Sequence, residues 1–298
     1  MAKSIVMAGS SGFLGSHLKA ELEGRGHRVT SLVRRSTSLA NESPWDPYAG
    51  EVDRELVAGA DVVVNLAGSP TLGNPHSGKW AQSLHDSRVR TTALLAETVA
   101  AAADPPYLVA GNAIAWYGDH GSAVLTEDAD SRGHTLMTEV CRDWQAAARP
   151  AVDAGVRVAF LRTTPVMDRS SAPLQQLRLL FKAGLGGRLG NGRQHMPMIS
   201  LRDWVGAAAY LCEHPTAAGP FNLCCVETPT NAEFTRALAH AVHRPAFAAV
   251  PSPLIKAAAG RVSSEVLGSL NTRPQALLDL GYEFVDPDVA AVLASGLS

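Results

Sequence analysis

Long apolar runs are missing from this sequence. No stretch approaches the ~18 consecutive apolar residues that span a bilayer, so no transmembrane helix is expected and a membrane is excluded as partner. Charge is sparse and nearly balanced: Asp, Glu, Lys and Arg make up 18% of 298 residues, the net charge is −2, and no block of one sign appears. That leaves no footing for nucleic acid or an anionic surface. Cysteine is scarce too. Cys141, Cys212, Cys224 and Cys225 show no C-x-x-C spacing and are expected to be buried thiols in a reducing cytoplasm, with the adjacent Cys224 and Cys225 on opposite faces of a strand. No metal-ligand spacing is present. His240 and His243 share a helix face in the pattern, but without a carboxylate or cysteine cluster they are expected to serve as charges near a helix C-terminus. A G-x-S-x-G elbow is also absent, which disfavours hydrolase chemistry. The first apolar strand starts close to Met1, so no signal peptide is expected and the location predicted is cytoplasmic.

What is present is a core and a glycine loop. Hydrophobic residues make up 46% of the chain, enough for one large α/β domain or a domain with a smaller appendage. Gly9-Ser10-Ser11-Gly12-Phe13-Leu14-Gly15-Ser16 lies between the apolar run Ile5 to Ala8 and a helical pattern through Leu18 and Leu22. A buried strand that turns sharply into a helix leaves the first helical N–H groups unpaired and aimed outward, a site for a pyrophosphate. Gly9 allows the tight turn, Gly12 lets phosphates approach the backbone, and Gly15 lets the helix lie close on the strand. Arg28 to Val33 supplies a second strand and completes a βαβ unit. The plainer alternative is a glycine-rich turn without a ligand.

Arg34-Arg35 follows that strand, about 20 residues beyond the glycine loop, where dinucleotide-binding proteins usually carry an acid for the ribose 2′-OH. Two guanidinium groups suit a 2′-phosphate, so NADP(H) is expected over NAD(H); solvated surface arginines are the alternative. A short helix is expected at Val52 to Ala58, and Asp61 to Gly68 reads as a buried strand whose exit, Leu66-Ala67-Gly68, reaches the cofactor. Gly73, Pro75 and Gly78 mark a loop that could cap a ligand. A helix over Asp86 to Ala103, a strand at Tyr107 to Ala110, a helix over Val140 to Ala148 and a strand at Val156 to Arg162 continue the alternation. This rhythm predicts a Rossmann-type, doubly wound parallel α/β sheet over residues 1–163. Residues 164–298, with helices expected at 173–183, 203–212, 231–243 and 275–280, are expected to form mainly a substrate-side lobe over the C-terminal strand ends, and a segment near 219–225 is a candidate to return to the main sheet.

These stretches resemble the extended short-chain dehydrogenase/reductase superfamily, and within it the atypical branch of epimerase family proteins. The carriers are the Gly9 to Ser16 loop, Asn65 to Gly68, Asp86-Ser87-Arg88-Val89, Ala113 to Asp119, Glu139 to Trp144, Gly184 to Gly187, Leu189 to Gln194, Gly219 to Leu223 and Thr230 to Leu238. The resemblance implies NADP(H) as cofactor, a small-molecule substrate or ligand, and a homodimer as a permitted assembly. It adds Arg88 and Arg162 to Leu66, Ala67 and Gly68 at the cofactor site.

The departures concern catalysis. The superfamily uses Tyr-x-x-x-Lys on a helix, since residues i and i+4 share a face and the ammonium lowers the phenol pKa. By register with Glu139-Val140-Cys141, those places fall on Leu136 and Val140, and the serine that relatives keep is replaced by Asn112. An apolar face without a proton donor is therefore expected there. Three substitutes stand near: Asn112 by its amide, or as a strand-end residue bonding its own loop; Tyr117, or as a structural tyrosine in its turn; and His195, in a Gly-rich loop flanked by Arg193 and Gln194 and expected to face the nicotinamide side of a cleft. The function expected is an NADP(H)-dependent oxidoreductase or epimerase-like enzyme with non-standard proton transfer. The alternative is a protein that binds NADP(H) to sense it, without turnover.

Overall fold

Valine-rich runs set between glycine and proline turns build the sheet. Val62 to Asn65 pair with Ile5 to Ala8 on one side and with Tyr107 to Ala110 on the other, both parallel. Strands covered on both faces need no alternation of polar and apolar residues, which is why these runs are apolar almost throughout. The computed structural model describes residues 1–246 and 248–298.

In chain order the first elements are β1 (Ser4–Ala8), α1 (Phe13–Gly24), β2 (Arg28–Val33), β3 (Glu42–Pro44), α2 (Arg54–Ala58), β4 (Val62–Asn65), α3 (Gly78–Ala100) and β5 (Tyr107–Ala113). A 3₁₀ turn over Ile114–Trp116 follows, then β6 (Val124–Leu125), α4 (Leu136–Ala146), α5 (Arg149–Asp153), β7 (Val158–Thr163), β8 (Val166–Met167), α6 (Ala172–Lys182), β9 (Gly187–Leu189) and β10 (Ile199–Ser200). The remainder comprises α7 (Leu201–Glu213), β11 (Gly219–Leu223), α8 (Asn231–Ala241), β12 (Ala248–Val250), α9 (Ser252–Ala259), α10 (Ser263–Leu267), β13 (Asn271–Thr272), α11 (Gln275–Asp279) and α12 (Val289–Leu297).

The main sheet has seven strands in the order β11-β7-β5-β4-β1-β2-β3, each neighbour parallel. Successive residues of a strand face opposite layers. Ile5, Met7, Val64, Val109 and Leu161 pack with α1 and α7 through Leu18, Leu22, Trp204 and Ala208. Val6, Ala8, Val63, Leu108 and Phe160 pack on the other side with Leu94, Leu95 and Val99 of α3. The order reverses between β1 and β4, and the crevice beyond their C-terminal ends is where open sheets of this type take ligands. A further cluster, with Leu174, Phe181, Phe234, Leu238 and Val292, joins α6, α8 and α12 beside the sheet.

Local capping moves several boundaries from their expected places. Ser77 accepts from Trp80 N and starts α3 at Gly78, well before Asp86, while Thr135 accepts from Thr138 N and starts α4 at Leu136. Helix α8 stops at Ala241, and His243 has φ of 53°, so it does not share that helix's face with His240. Both Cys224 and Cys225 lie buried just past β11, and all four cysteines are unpaired and buried. Beyond residue 163, α7 and β11 are laid into the layers of the main sheet, so that a cut at 164 does not divide the packing. Helices α9, α10 and α12 were not among the elements expected from the sequence. Among the described residues no helix is long and apolar enough to cross a membrane.

Candidate functional site

At one end of the crevice the backbone does the work. Gly9 has φ of +83°, and a Cβ there would lie 2.5 Å from the Leu66 carbonyl carbon; a Cβ on Gly15 would lie 2.0 Å from Gly9 O. The loop therefore passes against the exit of β4 with no room for side chains. Gly12 caps α1 without a side-chain bond, the first turn holds no acid, and the first helical bond of the turn runs from Ser16 N to Gly12 O. The amides of Phe13, Leu14 and Gly15 stand ahead of that bond and point out of the helix toward any anion. Ser10 and Ser11 complete the loop, while the Phe13 and Leu14 side chains turn inward and pack on the core. This cradle fits a pyrophosphate.

Arg34 and Arg35 are exposed at the end of β2. Arg35 Nη2 is held by Glu42 Oε1 at 2.8 Å, and Arg34 is in no ion pair among the described residues. The β4 exit is shaped by Asn65, which donates to Thr92 Oγ1 at 2.9 Å and accepts from Ala67 N at 3.1 Å. Leu66 and Ala67 are half-buried and Gly68 is exposed. Arg88 lies beneath them: it donates to Ser69 O at 3.1 Å and Leu84 O at 2.9 Å, and its guanidinium stands 5.1 Å from the Trp144 ring. Burial lowers its pKa. Arg88 thus supports the loop from behind.

The other end is built from buried polar side chains. Arg162 on β7 is 2% exposed and lies 3.7 Å from the Trp116 ring centre. It donates to Tyr117 Oη at 2.7 Å and Glu127 O at 3.2 Å. Tyr117 is fully buried, its hydroxyl donates to Asn222 Oδ1 at 2.8 Å, and burial pushes its pKa up to about 12. Glu127 accepts from Asn222 N at 2.9 Å and Ala276 N at 3.1 Å, with burial raising its pKa. Asn112 is buried; it donates to Cys141 O at 3.2 Å and accepts from Ala113 N at 2.7 Å. Arg162, Tyr117 and Asn112 are therefore drawn into the frame of the site rather than onto its surface. Glu127 and Asn222 were not legible as partners, since Glu127 sits in an acidic stretch that reads as solvated loop.

His195 is half-buried. Its backbone N–H donates to Ser269 Oγ at 3.0 Å, its carbonyl accepts from Leu270 N, and its ring reaches the same Ser269 hydroxyl at only 3.4 Å. Its neighbours open on a cleft of about 700 Å³ whose lining includes Asp119, Ser122, Asn191, Arg193, Lys256 and Ser269. On α4, Val140 is buried and Leu136 half-buried, as an apolar face requires. A carboxyl nevertheless reaches that helix from elsewhere: Glu265 Oε1 on α10 accepts from Met137 N at 3.0 Å. Among the described residues no three His, Cys, Asp or Glu gather as metal ligands.

Comparison with known proteins agrees with this architecture. Residues 5–224 match the NAD dependent epimerase/dehydratase family, and residues 250–295 match a domain of unknown function, DUF1731. The chain is 40% identical over 286 residues to Epimerase family protein MT2273 of Mycobacterium tuberculosis, covering 95% of this chain and 94% of that one. The crystal structure of human epimerase family protein SDR39U1 with NADPH superposes with a TM-score of 0.87 at 29% identity, over 98% of both chains. A nucleoside-diphosphate sugar epimerase from Corynebacterium glutamicum gives a TM-score of 0.80 at 31% identity, over 100% of this chain and 58% of that one. With a glycine loop, a parallel seven-stranded sheet and a family match across most of its length, this chain belongs to the NAD dependent epimerase/dehydratase family.

Proposed function

We propose that this protein is an NADP(H)-dependent oxidoreductase or epimerase-like enzyme whose proton transfer does not use a Tyr-x-x-x-Lys pair. The single observation that carries the cofactor is the join of an acid-free helix start, capped by Gly12 without a side-chain bond, to the unpaired guanidinium of Arg34. Gly9, Ser10, Ser11, Gly12 and the amides of Phe13 to Gly15 would hold the pyrophosphate, and Arg34 with Arg35 the 2′-phosphate. Leu66, Ala67 and Gly68 would line the cofactor, propped by Arg88. When bound, NADPH supplies a hydride to an acceptor at the C-terminal ends of β4 and β5. The human relative crystallised with NADPH supports this choice.

Residues beyond 164 outside α7 and β11 form the substrate side in this reading. Of the three substitute donors, Asn112 and Tyr117 already spend their polar atoms on protein partners, whereas the His195 ring has only a long contact to Ser269. His195 is the freest of them, beside a polar cleft that suits a small hydrophilic ligand. A sensing protein without turnover is the second reading, favoured by the same occupancy of Asn112 and Tyr117.

Calorimetric titration with NADPH and NADH tests the cofactor. NADPH is expected to bind at least about tenfold more tightly, since a charge-assisted bond to phosphate is worth roughly 1.5–3 kcal/mol. NADPH absorbance is then followed with a simple ketone, a sugar nucleotide and a conjugated enone, in the natural protein and in Asn112→Ala, Tyr117→Phe and His195→Ala. Equal affinities would remove the NADP(H) assignment; tight binding with no turnover would favour the sensor.

A further inference from the structure

The expected vacancy on α4 is filled from a distant part of the chain. Leu136 and Val140, in the places of the phenol and the ammonium, offer no proton, yet α10 brings the Glu265 carboxyl to the same first turn. Oε1 is anchored by Met137 N. Oε2 is shut off from water and has no hydrogen-bond partner. An unpaired buried carboxyl oxygen is costly, and such atoms tend to wait for a ligand or a proton. A carboxylate at the second residue of α4 also meets the positive end of the helix dipole, which accounts for Oε1 but leaves Oε2 without a partner.

The helix bearing Glu265 is placed by segments that leave the sheet at its ligand-binding edge. Arg261 N donates to Pro75 O at 3.4 Å, and Gly260 lies against His76, both contacts to the loop after β4. Ser269 N donates to Asp119 Oδ1 at 3.3 Å, a contact to the turn after β5. His195 N donates to Ser269 Oγ. Glu265 thus sits over the C-terminal ends of β4 and β5, where ligands of open α/β sheets bind. Its charge also reaches Cys141, whose thiol burial pushes up to about 12, with Arg88 and Arg162 acting on that thiol from α3 and β7.

Resting on the oxidoreductase reading, we infer that Glu265 is the proton-transferring residue of the site, one oxygen fixed by α4 and the other left unpaired to carry the proton. For a ketone, a hydride from the reduced cofactor forms the new C–H bond at the carbonyl carbon, and the C=O π pair moves to oxygen. The Oε2 proton closes the alcohol, and the carboxylate recovers a proton from solvent admitted as the product leaves. In the opposite direction the carboxylate takes the hydroxyl proton. The charged or titratable groups on the elements packed around it are His76, Asp119, then Glu139, Cys141, Arg142 and Asp143 on α4, Lys256 on α9, and Arg261.

Glu265→Gln keeps the acceptor for Met137 N and removes charge and acid; Glu265→Asp keeps the acid. Fluorescence titration of the full-length variants with NADP⁺ and NADPH is a readout that needs no turnover. The oxidised nicotinamide is cationic and the reduced one neutral, so Glu265→Gln should weaken NADP⁺ about threefold or more while NADPH changes less than about twofold, the size of one screened charge interaction. Glu265→Asp should restore part of that difference. Rates with 9,10-phenanthrenequinone, a conjugated enone and a simple ketone should lose their dependence on an acid in Glu265→Gln and keep it, shifted, in Glu265→Asp. An unchanged NADP⁺ to NADPH affinity ratio overturns the inference. So does turnover whose pH profile is the same in Glu265→Gln, an outcome that leaves the oxidoreductase reading standing. Absence of wild-type turnover with all three probes overturns that reading, and the proton-transfer role with it.

Discussion

The two ends of the crevice are built by opposite means. At the phosphate end, Gly9, Gly12 and Gly15 bare the backbone, and the loop offers peptide amides and a helix dipole rather than charged side chains. At the reaction end, side chains are buried and spent on each other: Arg162, Tyr117, Asn222, Glu127 and Asn112 form a network closed to solvent. The first arrangement leaves no space for a Cβ at Gly9 or Gly15 and so tolerates little change. In the second, the polar atoms are already bonded to protein partners, so residue type alone does not tell frame from catalyst.

The largest expected effect tests the closed network. Arg162→Met leaves Tyr117, Glu127 and Gln145 without their cation, and urea denaturation should show a loss of about 3–5 kcal/mol, as for other broken buried charge networks. Tyr117→Phe removes one hydroxyl and should cost about 1–3 kcal/mol while leaving NADPH affinity within about twofold. A Tyr117→Phe variant of full stability that loses affinity would move this residue from the frame into the site.

Next comes the bare loop. The Cβ of Gly15→Ala would collide with the Gly9 carbonyl, so NADPH affinity should fall at least ~100-fold, or about 2.7 kcal/mol. Gly24→Ala, at the far end of the same helix with nothing within 4 Å of its Cβ, should bind normally. Calorimetry on the pair decides whether close approach or helix propensity governs the loop. A smaller effect concerns Glu42, which holds Arg35. Glu42→Gln should free that guanidinium and tighten NADPH by about threefold, within the range of an exposed ion pair, with NADH unchanged.

The smallest expected effect is a pH dependence of the network. Burial raises the folded-state pKa of Glu127, so the folded protein holds this proton more firmly than the unfolded chain. Its contribution is full below the ordinary glutamate pKa and is lost as pH rises through the raised value. Thermal melts in Glu127→Gln should therefore fall less between mildly acidic and alkaline pH than those of the natural protein. A steeper fall in the variant would show that Arg162 compensates the ionised carboxylate more fully than its burial penalises it.

Local sequence carried much of the fold. The apolar runs of β1, β4, β5 and β7, the glycine spacing before α1 and the alternation of helices set the doubly wound sheet, because a strand buried on both faces and a helix start without side chains can be written in few other ways. The place of Arg34 and Arg35 directly after β2 was legible from the end of that apolar run. Helix starts were less so: Ser77 and Thr135 are ordinary polar residues until their hydroxyls meet the amides of Trp80 and Thr138. The reaction end was not legible at all. That Glu265 reaches Met137, that Glu127 meets Asn222, and that Arg162 stacks on Trp116 are contacts between residues far apart in the chain. Periodicity reports which face of an element is buried but not which distant side chain is buried against it. The sequence alone therefore determined the strand, the glycine loop and the helix that follows it. Tertiary structure alone decided which polar groups remain free to act, since a donor already bonded inside the protein and one left open are the same residue in the sequence.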